Sequence, residues 1–222
     1  MEEPKKISRR SFIKGAAILT VAGAVTGTGL WATSTPAYPS ADTNINQEKN
    51  MEKKILVAYA SKCGSTAEVA KTIGQVLSES GVEVEVRAAH EVKTMKDYDA
   101  VVLGTAIRMN KPLGEMTSFA KKFNNELAQL PTAVFSLGLS MKEDTAENRA
   151  ETTNFIAPLV EQLPSKKSTA MFGGKFDLDT VSPILRFMLS KDTSGAMAPG
   201  DYRDWNAINT WANSLPVELG LA

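Results

Sequence analysis

The stretch "KILVAYASKCGSTAEVAK", residues 54–71, contains a whole strand-to-helix transition. Its first part, "KILVAYA" (54–60), is a short apolar run of the kind that forms a strand buried on both faces. From Thr66 the period changes. In "TAEVAKTIGQVLSES" (66–80) Val69, Ile73, Val76 and Leu77 fall on one helical face. Ser65 followed by Glu68 spells a capping box, and Gly81 is placed to close the helix. Six small or polar residues, Ser61 to Thr66, join the two patterns.

The same alternation continues outward. "VEVEVRA" (82–88) reads as a strand with one wetter face, near a sheet edge. "DAVVLGTA" (99–106) and "TAVFSLGL" (132–139) read as buried strands, and "STAMFGGKF" (168–176) as a further strand. Helical patterns separate them. "GEMTSFAKKFNNELAQL" (114–130) turns Met116, Phe119, Phe123 and Leu127 inward, and "TAENRAETTNFIAPLVEQL" (145–163) carries a bend or break at Pro158. "DWNAINTWANSL" (204–215) places Trp205, Ile208, Trp211, Ala212 and Leu215 on its inner face. Strands alternating with helices imply an α/β domain: a parallel sheet, doubly wound in three layers through right-handed crossovers. Ligands of such sheets bind at the carboxyl ends of the strands. The segments 60–66, 105–112 and 137–144 leave those ends.

Composition excludes several classes. The 222 residues carry 25 basic and 25 acidic side chains, so no net charge points to nucleic acid. One cysteine, Cys63, rules out an intrachain disulfide framework and a multi-cysteine metal site. One histidine, His90, leaves no two-histidine ligand set and no catalytic triad; beside Glu91 it reads as a solvated loop residue. Met95, Met116 and Met188 read as core or cover, and the lysine pairs at 53–54, 121–122 and 166–167 as solvated faces.

The first fifty residues are of another kind. "SRRSFIKG" (8–15) precedes the apolar, Gly- and Thr-rich "AAILTVAGAVTGTGLWA" (16–32). The pattern resembles a twin-arginine export signal, with a membrane anchor through residues 12–32 as the other reading. Residues 1–34 are therefore expected to be a signal or anchor, 35–52 a flexible linker and 53–222 the folded domain. Six of the 25 basic but only four of the 25 acidic residues lie in the first fifty, which leaves the domain weakly acidic.

The segment 61–66 opens a helix, where free amides and the dipole favour an anion. Ser61, Ser65 and Thr66 add hydroxyls, and Gly64 permits close approach. A dinucleotide fold wants G-x-G-x-x-G here, and a P-loop wants G-x-x-x-x-G-K-S/T; neither is present. No arginine closes the loop as a cysteine-dependent phosphatase requires, and no aspartate ends the first strand as in a receiver domain. The remaining reading is the phosphate of a buried monophosphate cofactor.

"SKCGST" (61–66) resembles the flavodoxin phosphate loop, S/T-x-T-G-x-T. Ser61, Gly64 and Thr66 match. Cys63 stands where that family has Thr or Ser, and reads as a Thr-sized residue of the loop, a reactive thiol being the alternative. The resemblance implies the flavodoxin sheet order 2-1-3-4-5 over five parallel strands, and FMN as cofactor. It implies contacts to the phosphate from Ser61, Lys62, Cys63, Gly64, Ser65 and Thr66. Contacts to the ring would come from Thr105, Ala106, Ile107, Arg108 and Met109 on one side and Ser136, Leu137, Gly138 and Leu139 on the other. Ile107 and Met109 stand where flavodoxins often stack an aromatic. Arg108 reads either as a contact to the flavin or a substrate carboxylate, or as a surface residue.

Within that family "DYDAVVLGTAIRMNK" and "GDYRDWNAINTWANSL" resemble the menaquinone-dependent protoporphyrinogen dehydrogenase type. The stretch "GKFDLDTVSPILRFMLSKDTSG" (174–195) is less basic and aromatic than the insertion of that type. The resemblance implies flavin-dependent electron transfer with a redox partner protein, a quinone or a small organic substrate. Three readings stand: an electron carrier, a quinone-linked dehydrogenase, and a binding protein of this fold that has lost FMN.

Overall fold

The computed structural model describes residues 43–45, 53–180, 186 and 198–221. The signal expected over 1–34 and Met188 lie outside the described residues. So does most of the expected linker, 35–52. Among the described residues no helix is long and apolar enough to cross a membrane.

The chain falls into two compact units, one of residues 39–174 with 202–222 and a second that contains residues 175–201. The first holds the sheet. Its parallel strands are β2 (Lys54–Ala60), β3 (Glu83–Ala88), β4 (Ala100–Arg108), β6 (Thr132–Gly138) and β7 (Lys166–Gly173). They lie in the order β3-β2-β4-β6-β7, which is the 2-1-3-4-5 order of a doubly wound sheet. A short β1 (Thr43–Ile45) pairs antiparallel with β3, so β3 lies one strand in from the sheet edge, near which its alternating pattern placed it. The strand β5 (Lys111–Pro112) folds back on the end of β4.

Two apolar cores clamp the sheet. On one face α1 (Ser65–Glu79) supplies Val69, Ile73 and Leu77, and α5 (Trp205–Glu218) supplies Ile208, Ala212 and Leu215, against Val57, Val84 and Phe135. On the other α2 (Gly114–Lys122), α3 (Asn124–Leu127) and α4 (Ala146–Val160) cover Leu56, Leu103 and Val134 with Met116, Phe119, Leu127 and Leu159. The central strands β2, β4 and β6 thus send alternate side chains into different cores, which explains their unbroken apolar runs. At Gly104 any side chain would overlap the Phe135 ring on the neighbouring strand. The glycine inside this strand therefore marks a close approach.

Several boundaries differ from the sequence reading. The helix expected over 114–130 is two pieces, because Phe123 leaves helical geometry at φ −110° and buries its ring 4.9 Å from that of Phe119. No break occurs at Pro158. It sits in the last turn of α4, where its missing N–H frees only one carbonyl, that of exposed Asn154. Likewise α5 runs past Pro216 to Glu218. The strand expected over 168–176 ends at Gly173.

Two side-chain expectations, at Trp205 and Lys54, are corrected. Trp205 is not a core anchor: it is 38% exposed at the start of α5, with the Arg203 guanidinium 4.5 Å from its ring centre. Trp211, as expected, packs against the core, edge-on to Phe135 and Phe172, and donates its indole N–H to Ser168 Oγ at 2.9 Å. Lys54 is only partly solvated and bridges Glu83 at 3.0 Å and Glu85 at 3.3 Å, whereas Lys122 is exposed as expected, its Nζ donating to the Val92 carbonyl. The wetter face of β3 is in fact sealed by ions, with Glu85 only 7% exposed.

In the second unit β8 (Lys175–Phe176) pairs antiparallel with β9 (Gly200–Asp201). Arg186 there binds Asp179 Oδ1 at 2.7 Å and the Leu178 carbonyl.

Candidate cofactor site

The parallel register lines up the ends of the central strands. Ala60, Thr105, Ser136 and Met171 occupy one row across β2, β4, β6 and β7. The candidate residues follow that row toward the carboxyl edge.

The turn after β2 is built around Gly64. Its φ of +84° is left-handed, a conformation open to glycine at little cost. Gly64 N–H donates to Ser61 Oγ at 3.0 Å, which closes the turn. The Ser61 hydroxyl keeps its own proton for donation. The helix begins at Ser65 with Gly64 as N-cap and no side-chain cap. The expected capping box is therefore absent: the left-handed glycine starts the helix one residue early and puts Ser65 inside its first turn. Glu68 is drawn away instead, its Oε2 lying 2.7 Å from Arg203 Nη1.

This start leaves donors without acceptors. The first bond across the turn runs from Glu68 N–H to the Gly64 carbonyl at 3.0 Å, so the amides of Ser65, Thr66 and Ala67 precede the ladder. Thr66 is wholly buried, and its Oγ1 has no hydrogen-bond partner among the described residues. Buried hydroxyls are nearly always paired. Ser136, at the end of β6, is 1% exposed and its Oγ is orphaned in the same way. Lys62 is exposed and Cys63 is partly exposed.

The segment 105–112 is not the loop expected. Strand β4 continues to Arg108 and turns through Met109 and Asn110, with φ of 51° and 60°, into β5. Two consecutive positive φ values match the twist of a two-residue hairpin. Met109 at its tip is 57% exposed. Thr105 Oγ1 accepts from Leu113 N–H at 3.1 Å and so pins the hairpin's return. Ala106, Ile107 and Arg108 are half-buried.

The third segment leaves β6 at Gly138 and coils through Leu139–Met141. A Cβ on Gly138 would lie 3.1 Å from Ile107 Cβ, so the second and third segments meet. Ser140 Oγ and Thr152 Oγ1 share a hydrogen bond of 2.8 Å, which ties this turn to α4. Leu137 does not face the cleft; it is buried in the core beneath α1 and α5. Among the candidates, then, Thr66 and Ser136 carry orphaned hydroxyls and the amides of Ser65 and Thr66 precede the helical ladder, whereas the Gly64 amide and carbonyl, the Thr105 hydroxyl and the Leu137 side chain are committed to the fold.

Two contributors escaped the sequence reading. The Arg203 side chain is 4% exposed and reaches Glu68 across most of the chain. It neutralises a carboxylate that would otherwise stand beside an anion at the helix start. Tyr202 passes so close over Gly173 that its carbonyl fills the space of a side chain there, and Lys142 Nζ lies 4.7 Å from its ring centre. Only the Gly173-Gly174 pair hints at that crossing.

The sheet order defines a doubly wound α/β domain, with a helix opening directly from the turn at its carboxyl edge. The chain belongs to the flavodoxin family: the model of the family described as "Flavodoxin domain" matches residues 56–201. Among curated relatives, it is 29% identical over 106 residues to Protoporphyrinogen IX dehydrogenase (quinone) of Escherichia coli strain K12. That match covers 47% of this chain and 58% of the relative, so the chain spans little more than half of that protein. The similarly named protein of Leishmania major is 26% identical over 181 residues, covering 75% of this chain and 77% of the relative. A solved structure, that of a point mutant of flavodoxin from Pseudomonas aeruginosa, matches at 15% identity and a TM-score of 0.47, covering 75% of this chain and 99% of that one.

Proposed function

We propose that this chain binds FMN at the carboxyl edge of its sheet and carries out flavin-dependent electron transfer. The observation that carries the reading is Thr66 Oγ1, wholly buried and unpartnered on the first turn of α1. A phosphate oxygen supplies the acceptor it lacks. The amides of Ser65 to Ala67 and the Ser61 hydroxyl add donors, and Ser136 Oγ is a donor for the ring side. The chemistry of the bound group is that of a flavin, which passes electrons singly or in pairs. The protein's part is to bind it, and to cover the ring with Ile107 and Met109, aliphatic and thioether surfaces.

The test is a visible spectrum of the full chain and an FMN titration of its flavin-free form. Saturable uptake with shifted flavin bands is expected. Absence of flavin in the purified protein together with no uptake on titration refutes the reading.

The curated relatives favour one refinement, a quinone-linked dehydrogenase in which flavin takes electrons from a small organic substrate. Stopped-flow reduction followed by quinone addition separates it from a carrier: rapid reoxidation by quinone with multiple turnovers supports the dehydrogenase. We further propose export by the twin-arginine route, on Arg9 and Arg10 ahead of the apolar run 16–32. Replacing both by lysine should hold the protein in the cytoplasm; unchanged export overturns that assignment.

A further inference from the structure

We propose that Cys63 is a modification site that governs cofactor loading: a mixed disulfide between its Sγ and an anionic low-molecular-weight thiol closes the phosphate cradle, and bound FMN shields it. The inference rests on the reading of residues 61–66 as that cradle.

Cys63 is the one cysteine of the chain, so it has no intrachain partner for a disulfide. It is free and partly exposed. The Ser61–Gly64 hydrogen bond of 3.0 Å fixes both ends of a turn in which Lys62 and Cys63 are the only interior residues. The backbone of Cys63 is therefore held directly before the helix start. Further along the chain, on the first turn of the helix, the buried Thr66 Oγ1 lacks a partner among the described residues, which independently marks this turn as a place for an acceptor. Exposed Lys62 adds a cation that attracts an anionic reagent.

The exchange balances. The Cys63 thiolate attacks one sulfur of a small disulfide, a new S–S bond forms as the old one breaks, and the other half leaves as a thiolate. The added group brings bulk and carboxylates to the mouth of the cradle. Its charge and volume oppose those of a phosphate. A hydroxyl at this position cannot enter such an exchange, so a Ser or Thr loop lacks the control.

The experiment uses the full chain, freed of flavin, with glutathione disulfide as reagent and intact mass as readout. If only the empty cradle reacts, FMN at about 100 times its Kd should slow the reaction about 100-fold. Inorganic phosphate should also slow it, and riboflavin, which lacks the phosphate, should leave it near the free rate. The modified protein should bind FMN at least about tenfold more weakly, a cost of roughly 1.4 kcal/mol, and recover on reduction. Cys63→Ser should abolish the response to the disulfide. Two results overturn the inference alone: FMN seen bound by its spectrum while Cys63 reacts at the free rate, or modified protein that takes up FMN as well as the thiol form. Failure of the unmodified chain to bind FMN overturns the cofactor reading and this inference with it.

Discussion

Arg203 Nη1 lies 2.7 Å from Glu68 Oε2, joining the entry to the last helix with the first turn of the first. The arginine side chain is 4% exposed and the glutamate half exposed. A pair so placed is more than a surface bridge, because its cation has left water. A double-mutant cycle with Glu68→Gln and Arg203→Met should return a coupling of about 1–3 kcal/mol by urea unfolding. A coupling near zero would reduce the pair to decoration. Glu68→Gln should not weaken FMN binding, since it removes a negative charge from the phosphate end.

Thr66→Val keeps shape and removes the orphaned hydroxyl. Loss of one hydrogen bond to a charged phosphate should weaken FMN by about 1.5–3 kcal/mol, roughly 10- to 150-fold. Riboflavin affinity should barely change, and Thr66→Asp should abolish FMN binding. Isothermal titration with both flavins checks this; equal losses for the two would place the phosphate elsewhere.

Glu85 gathers Tyr98 Oη at 2.7 Å, Lys54 at 3.3 Å and Arg87 Nε. Burial alone would raise its carboxyl, but the hydrogen bonds from Tyr98, Arg87 and Lys54 outweigh it and hold it below 4.5. Its contribution to stability is thus complete above that value and is lost as the pH falls through the lowered one. Tyr98 behaves oppositely: burial first, then its bond to Glu85, push the phenol well above 10.0. Its contribution holds below 10.0 and is lost as the pH rises through the raised value. Tyr98→Phe should cost about 1–3 kcal/mol at neutral pH and flatten the alkaline limb. Urea midpoints across pH read both limbs; an alkaline limb unchanged in Tyr98→Phe would contradict the assignment.

Gly104→Ala drives a methyl into the Phe135 ring. Overpacking of this kind should cost about 1–3 kcal/mol. Combining it with Phe135→Leu should recover part of the loss, a non-additivity that unfolding midpoints detect.

The hairpin tip holds Met109 and Asn110 at positive φ. A side chain at such a φ costs about 1–2 kcal/mol relative to glycine. Replacing the pair by Asn-Gly should raise Tm and stabilise the chain by roughly 1 kcal/mol. It would also strip the thioether from the ring side, so the flavin midpoint potential should move in the same variant.

The buried parallel strands were legible because burial on both faces writes itself as unbroken apolar runs, as in Ile55 to Ala60 and Val101 to Leu103, whereas their order followed from the resemblance of the 61–66 turn to the flavodoxin loop. The turn 61–66 was legible because a strand, small residues and a helical period succeed one another without a gap. What hid was set by partners far along the chain. The capping box at Ser65 and Glu68 fits local chemistry, but the left-handed Gly64 and distant Arg203 overrode it. Glu85 and Lys54 looked solvent-facing because alternation cannot reveal mutually paired side chains. The continuation of β4 to Arg108 was masked by Met-Asn, a pair that local preference does not assign to a tight hairpin. Phe123 and Trp205 fit a helical wheel, and only tertiary packing decides which stays helical and which stays dry.

The stapling of Tyr202 N–H to the Gly174 carbonyl at 3.1 Å has an architectural consequence. The exit and re-entry points of residues 175–201 are held side by side, on the backbone of the sheet unit itself. None of the described residues that build the two cores lies between these points. A chain whose two ends are pinned together in this way tolerates changes of length between them at small cost to the strands that hold the ends.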